Sequence, residues 1–252
     1  MIEKKLKIRL CLFITFLVLL FDNIYSQTYK VWFLNSEFEN CGITAMGFSK
    51  RSYYGDTAAF RIAFLNACEN FVRNENSYFI GGQAFWSTEM GTAWMGNNFQ
   101  LIYDTSRIEV IKDKLIVIDT LISENFVAVL VSDFECSLPN ELKQIKTLNY
   151  FRKTIWIDQI PSDEKFIYAL GISPEYYNEI NSWISSEKEA IKNLAFQFKF
   201  SINALLKKEN ITGEIIKEEQ TEVNLKNLQV VGRWRDSNQK IFYTLIRMPK
   251  PK

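Results

Sequence analysis

The feature that most constrains this chain is a repeat of itself. Shifting the numbering by 124 lays Val31-Trp32-Phe33 on Ile155-Trp156-Ile157, Ile43 on Ile167, Ala45 on Ala169, Gly47 on Gly171, Ser49 on Ser173 and Tyr53 on Tyr177. That is six identities (Trp, Ile, Ala, Gly, Ser, Tyr) over Val31–Tyr53 without a gap. Average residue usage gives about one or two by chance. The chain therefore reads as two copies of one small unit, which restricts the architecture to something that can be built twice and packed against itself.

Each copy carries the pattern strand, long helix, strands. In the first unit, residues 27–133, strands are expected at Tyr29–Asn35 and Gly42–Phe48. A helix follows over Gly55–Arg73, where Phe60, Phe64, Ala67 and Phe71 recur at helical spacing. Further strands are expected at Gln100–Ile111, Lys114–Leu121 and Asn125–Asp133. Residues 134–149 read as a linker of mixed charge. The second unit, residues 150–252, has a strand at Phe166–Ser173 and a helix at Asn178–Lys208. Three closing strands follow at Thr212–Asn224, Leu228–Asp236 and Lys240–Arg247. Phe196, Phe198, Phe200 and Ile202 also alternate as a strand would. The unbroken run Glu187-Lys188-Glu189-Ala190 leading into them favours the helix. The fold class expected is α+β, with two tandem units, each a long helix packed on an antiparallel sheet of about four strands, associating as a pseudo-twofold pair.

The copies differ in one place. The offset is 127 at the helix, aligning Ala63 with Ala190 and Asn66 with Asn193, and 116 at the last strand, aligning Phe126 with Phe242. The first copy is then longer by 11 residues, in or near Tyr78–Tyr103. This stretch, 78–103, holds Gly81, Gly82, Gly91 and Gly96 among Phe79, Phe85, Trp86, Trp94 and Phe99. Aromatics between glycines serve as ligand platforms and interface anchors, and equally as fillers of a gap between units. Phe85, Trp86 and Trp94 are accordingly the candidate interaction residues.

Residues 1–26 resemble a secretion signal: a basic start (Lys4, Lys5, Lys7, Arg9), an apolar run from Leu10 to Phe21, and small-residue cleavage chemistry before Gln27. The run is shorter than the roughly 20 residues of a spanning helix, so no transmembrane segment is expected after the signal is removed. Export makes disulfides accessible. Cys41, Cys68 and Cys136 remain after residue 26, an odd number that leaves one thiol free or bridged to another chain. Cys68 falls on the first helix beside Phe64, Phe71 and Val72 and reads as an apolar filler. Cys41 and Cys136 sit near opposite ends of the first sheet, where they could pair. The chain carries a formal net charge of +1, which is no footprint for nucleic acid.

The chemical inventory is thin. The chain has no histidine, which removes Ser-His and Cys-His nucleophile pairs and the ordinary near-neutral proton shuttle. Ser185 and Lys188 match an S-x-x-K spacing, but the accompanying S-D-N and K-T-G motifs are missing and a solvated helix face explains the pair. Glu218, Glu219 and Glu222 resemble paired carboxylates for glycoside hydrolysis, yet fit the polar face of a Lys/Glu-rich strand better. Gly91 and Gly96 are followed by Asn97-Asn98 rather than Lys-Ser/Thr, so no phosphate loop is present. No cofactor or metal site is expected.

The second unit resembles the Lpp-twenty family of small bacterial membrane-associated lipoproteins. The likeness rests on Tyr168-Ala169-Leu170-Gly171-Ile172-Ser173, on Glu189-Ala190 and Leu194-Ala195 in the helix, on Val230-Val231-Gly232-Arg233-Trp234-Arg235-Asp236, and on Phe242-Tyr243-Thr244-Leu245-Ile246. It covers Phe166–Met248, and the first unit only faintly. The resemblance implies a dodecin-like fold, with an antiparallel sheet wrapped on a long helix, an envelope location and no established enzymatic activity. The lipid-acceptor cysteine of the family is missing here and the unit is doubled. The expectation is a non-enzymatic exported protein of the periplasm, outer membrane or cell surface. It would act as an interaction or assembly module, with an envelope protein or itself as partner. The rival expectation is a binder of glycan or cell-wall polymer through Phe85, Trp86 and Trp94. A hydrolase is the remote third.

Overall fold

The computed structural model describes residues 27–38, 41–51, 55–88, 91–148, 152–206 and 217–250, and side chains within these except at 83–98 and 199–221. The segment 1–26 lies outside the described residues. The chain is a mixed α+β fold with several small antiparallel sheets. In order it runs β1 (Thr28–Lys30), α1 (Val31–Leu34), β2 (Thr44–Lys50), α2 (Asp56–Glu75), β3 (Asn76–Thr88) and β4 (Gly91–Ile102). It continues with α3 (Arg107–Lys112), β5 (Ile116–Ile122), β6 (Phe126–Ser132), α4 (Asn140–Lys143) and β7 (Ile145–Thr147). After a 3-10 turn at Ile155–Ile157 come β8 (Phe166–Pro174), α5 (Glu179–Leu206), β9 (Lys217–Lys226), β10 (Gln229–Asp236) and β11 (Ile241–Pro249).

Two of the sheets share one plan. The N-sheet has the order β2-β6-β5 and the C-sheet the order β8-β11-β10, so in each the last strand of the half lies between the strand that precedes the long helix and the next-to-last strand. Each has three strands rather than about four. Both next-to-last strands carry a bulge, between Val117 and Asp119 on β5 and between Val230 and Gly232 on β10, and these positions correspond at an offset of 113. A long helix covers one face of each sheet. Only glycine fits where the first strand meets it. A Cβ on Gly47 would fall 2.1 Å from Ala63 O and Ala67 N, and one on Gly171 would fall 1.9 Å from Ser186 O and 2.3 Å from Ala190 N. The helices also clip the outer edge of that strand: Asn70 Nδ2 donates to Met46 O at 2.6 Å, and Asn193 Nδ2 to Leu170 O at 2.8 Å.

These contacts correct the expected alignment. Ala67 corresponds to Ala190 and Asn70 to Asn193, an offset of 123, one helical turn away from the offset of 127 read from Ala63 and Asn66. Gly47 pairs with Val129 and Gly171 with Thr244, so the last strands align at 115 rather than 116. A helix repeats nearly every four residues, so a one-turn slip leaves its apolar face matched and goes unnoticed in the sequence. The added length is 8 residues, not 11.

Three expected elements differ. Val31–Leu34 is a helical turn, not part of a strand at Tyr29–Asn35. Trp32, Phe33 and Leu34 are consecutive and all buried, which a turn allows and a half-buried strand, sending successive side chains to opposite faces, does not. The corresponding Ile155–Ile157 is also a helical turn. The strand expected at Gln100–Ile111 ends at Ile102, because Asp104 Oδ1 accepts from Ser106 N at 3.0 Å and Ser106 Oγ at 2.6 Å, a turn that feeds α3. Residues 134–149 are not a free linker. β7 pairs with β1 and buries Leu148, and Leu138 is buried just upstream. The doubtful region of the long helix resolves as helix, with α5 running through to Leu206.

The third sheet joins the halves. Its order is β4-β3-β9, so the glycine-aromatic hairpin of the first half pairs with β9 of the second. Phe79 stacks on Phe99 at 5.8 Å and meets Phe196 of α5 edge-on. A second shared core gathers Phe33, Phe48 and Phe126 from the first half with Trp183 and Phe242 from the second. The expected reciprocity is not found. Arg73 of α2 pairs with Glu187 of α5, but the exchanged positions, Phe64 and Phe196, lie in different cores. The Arg73–Glu187 contact is thus not repeated at the exchanged positions, and at this point the two halves do not meet as equivalents. Cys41 and Cys136 form a disulfide with Cα atoms 5.2 Å apart, and Cys68 is buried and free.

Candidate functional site

The densest polar chemistry lies where the halves meet. Glu187 sits on the apolar face of α5, four residues after Trp183. Arg73, in the last turn of α2, reaches one of its oxygens at 2.5 Å, and Arg233 of β10 reaches the other at 3.0 Å. Arg233 is completely enclosed. Its guanidinium stands 5.3 Å from the rings of both Phe33 and Phe48 and donates to Met46 Sδ at 3.1 Å. Burial lowers its pKa below the ordinary arginine value, and the Glu187 carboxylate opposes that shift. Such a pair is held by geometry rather than by net electrostatic gain.

Two further carboxylates, Glu179 buried and Asp119 half-buried, organise the N-terminal segment. Glu179 accepts from Tyr29 Oη, from Trp183 Nε1 at 3.0 Å and from Gln27 Nε2 at 3.3 Å. Burial, reinforced by the Glu179 charge, holds the Tyr29 phenol well above its usual pKa. Asp119, at the β5 bulge, accepts from Lys30 Nζ at 2.7 Å and Trp32 Nε1 at 2.8 Å. These groups bind the chain to itself.

Beside Glu187 an open groove of about 210 Å³ runs between α2 and α5. Its walls include Phe48, Asn66, Glu69, Arg73, Ile184 and Lys188. The amide nitrogen of Asn66 is committed to Phe48 O at 2.6 Å, and Glu69 accepts from Tyr103 Oη.

The sequence candidates distribute as follows. Phe85 and Trp94 occupy directly opposed positions of β3 and β4, and Trp86 opposes Ala93 one step nearer the tip. Their backbone places all three in the hairpin beyond or at the end of β9, whose last pair with β3 is Lys217 with Phe85. Ser185 is half-buried and Lys188 exposed on α5. The buried hydroxyl nearby is Ser186, which donates to Trp183 O at 3.0 Å and shares a hydrogen with Thr244 Oγ1 at 2.6 Å. Glu222 accepts from Tyr78 Oη at 2.6 Å, while Glu218 and Glu219 take β9 positions opposite Ala84 and Gln83. Among the described residues no group of three histidine, cysteine, aspartate or glutamate side chains is placed to hold a metal ion. No helix among them is long and apolar enough to cross a membrane.

The sequence reading missed Arg73, Glu187 and Arg233. A signal was present in Glu187, an acid spaced three and four residues from Ile184 and Trp183, and in Arg233, placed between Gly232 and Trp234.

Comparison with protein-family models, with curated proteins and with solved structures returns no match for this chain.

Proposed function

We propose that the chain is an exported, non-enzymatic envelope protein, built from a doubled dodecin-like unit, that acts as an interaction or assembly module through the free edge of β4. One observation carries this reading. Among the described strands β4 pairs only with β3, and Gly91–Ile102 contains neither a charged residue nor a proline over 12 residues. Outer strands of stable sheets are normally blunted by charge, proline or a covering segment, and a long bare edge is a template for an added strand. The doubled unit is supported by the common strand order, the equivalent bulges and the paired contacts of Gly47 and Gly171. Export is supported by the basic-then-apolar start of the chain and by the Cys41–Cys136 bridge, a bond of oxidising compartments. The likeness of Phe166–Met248 to the Lpp-twenty family agrees with an envelope location.

The test is capture from an envelope extract by the immobilised chain and by an Asn97→Lys variant that melts at the same temperature. The reading requires a partner retained by the first and lost by the second. An identical catch from both removes it, and so does a catch from neither by a chain that does not self-associate.

A second reading is favoured by the opposed positions of Phe85 and Trp94 with Trp86 adjacent: a glycan or cell-wall polymer stacking on the hairpin. Tryptophan fluorescence titrated with envelope glycans tests it, and a spectrum unmoved at saturating polymer excludes it.

A further inference from the structure

We propose that the strand added to β4 is β4 of a second copy of this chain, giving a dimer with a continuous six-stranded sheet in the order β9-β3-β4-β4-β3-β9. The proposal rests on the reading of β4 as the interaction edge and names the partner.

Other sheet edges of the molecule are protected. The outer carbonyls of β2 are occupied: Asn70 takes Met46 O and Asn66 takes Phe48 O. On β8, Asn193 takes Leu170 O. On β10, Gly232 bridges to Asn35, and Val231 O accepts from Ser36 N at 2.9 Å. β5 is interrupted by its bulge, where Asp119 pairs with Lys30. β9 spans Lys217–Lys226 and includes Lys217, Glu218, Glu219, Glu222 and Lys226, five charges in 10 residues. The two outer strands of the shared sheet are therefore opposites. One repels an added strand by charge; the other carries no charge and is broken once, by a bulge at Met95 between the Ala84–Gly96 and Phe85–Trp94 pairs, which leaves Gly96–Ile102 as a regular edge of about 23 Å.

What distinguishes a second copy from another partner is symmetry. In an antiparallel pair about a twofold axis, residues near the axis meet their own equivalents. A charged strand would oppose like charges there, which is destabilising. β4 is free of that penalty along its whole length. Its midpoint falls between Gly96 and Asn97, so uncharged, small or polar residues lie at the axis. Thr92 and Trp94 lie toward one end, and Phe99, Leu101 and Ile102 toward the other. Pairs of β-branched and aromatic residues across strands are favourable. The shared sheet already joins the two halves of one chain, and the proposed pairing continues that interface across the axis.

Sedimentation equilibrium of the full chain, as recovered from expressing cells, over about 1 to 200 µM tests the proposal. A dimer is expected. Asn97→Lys and Asn97→Asp, each placing like charges at the axis, should weaken it at least tenfold, and an equimolar mixture of the two should recover a heterodimer. Gln100→Lys with Gln100→Asp provides the same comparison if either first variant does not fold. A chain that stays monomeric throughout overturns the proposal, and so does a dimer indifferent to all four substitutions. A monomer whose β4 amides resist hydrogen exchange identifies a segment of the same chain as the cover and also overturns it. A monomer that still loses a captured partner on Asn97→Lys leaves strand addition to a different protein standing. One that captures nothing removes both readings.

Discussion

Arg233 and Glu187 form an ion pair 3.0 Å long, and water reaches almost none of it: the arginine side chain is 1% exposed and the glutamate 8%. The pair ties the closing strands of the chain to α5, and Arg73 ties the same carboxylate to α2. Removing the shared acid strands two guanidinium groups, one fully enclosed. Glu187→Ala is expected to cost about 3–5 kcal/mol, the range for breaking a buried pair from one side. Arg233→Met, which also removes the charge but keeps an apolar stem between Phe33 and Phe48, is expected to cost less, and Glu187→Met combined with Arg233→Met less than the sum. Urea titration of the three variants gives the comparison. A Glu187→Ala loss below about 1 kcal/mol, the surface-pair range, contradicts the assignment.

Gly47→Ala and Gly171→Ala should behave alike. In both, the new methyl meets backbone atoms of the covering helix nearer than 2.5 Å, and backbone cannot swing aside as a side chain does. The helix must lift from the sheet, at about 1–3 kcal/mol for an overpacked core position. Gly55 is the contrasting case. It has a positive φ of 89° and nothing within 4 Å of an added Cβ, so Gly55→Ala is strained only by its own backbone, at roughly 1–2 kcal/mol. Thermal melts of the three separate packing from conformational cost. A Gly47→Ala protein as stable as the parent refutes the close approach.

Those two glycines also show why much of the fold was legible. A residue that must be glycine at the same place in two copies leaves identities behind, and Gly47 with Gly171 was part of the repeat. Strand-to-helix order, the long α5 and the closing hairpins followed from periodicity. The contact between the halves did not, because it depends on Arg73, Glu187 and Arg233, each of which occurs in one copy only and so leaves no repeated signal. The one-turn slip in aligning Asn66 with Asn193 hid the equivalence of Asn70 and Asn193, which clip matching edges. Trp32 and Phe33 looked like strand residues by type, and only the unbroken apolar run Trp32-Phe33-Leu34, without alternation, spoke against a half-buried strand. At the proposed interaction edge the glycine-aromatic composition was visible, whereas the pairing of β3 with β9, which leaves β4 outermost, joins residues too distant in sequence to be read from pattern.

The disulfide makes a test of the compartment and of the core together. It joins residues 95 apart, and cross-linking a loop of that length lowers the entropy of the unfolded chain by roughly 4–5 kcal/mol at 25 °C. Cys41→Ser with Cys136→Ser should lower the urea midpoint accordingly, and reduction of the parent should do the same. Cys68 should not respond. It is buried, and burial pushes its thiol up to about 11, so thiolate is scarce at neutral pH. A thiol reagent at pH 8 should leave Cys68 unmodified in the native protein and modify it on unfolding. Rapid native labelling of Cys68 excludes the packing of α2 described above.

Alkali should weaken the fold through Tyr29. Its phenol is enclosed against Glu179 and is raised well above 10.0 by burial first and by the neighbouring carboxylate second. Tyr103, bonded to Glu69, is raised to about 12 for the same two reasons. In the unfolded chain both lose their protons near pH 10. Between that pH and their folded values the native state holds more protons than the unfolded state, so stability falls as pH rises. Below pH 10 both forms are protonated and the contribution is fully present, with no slope. Urea midpoints should therefore be level in this respect from pH 8 to about 9.5 and decline from pH 10 upward. Tyr29→Phe should flatten part of the decline while leaving that of Tyr103, at some cost in stability at pH 8 because Glu179 loses a buried donor. A parent whose midpoint is unchanged between pH 9 and 11.5 shows that Tyr29 is not enclosed against Glu179, and with it that the N-terminal segment does not close over α5.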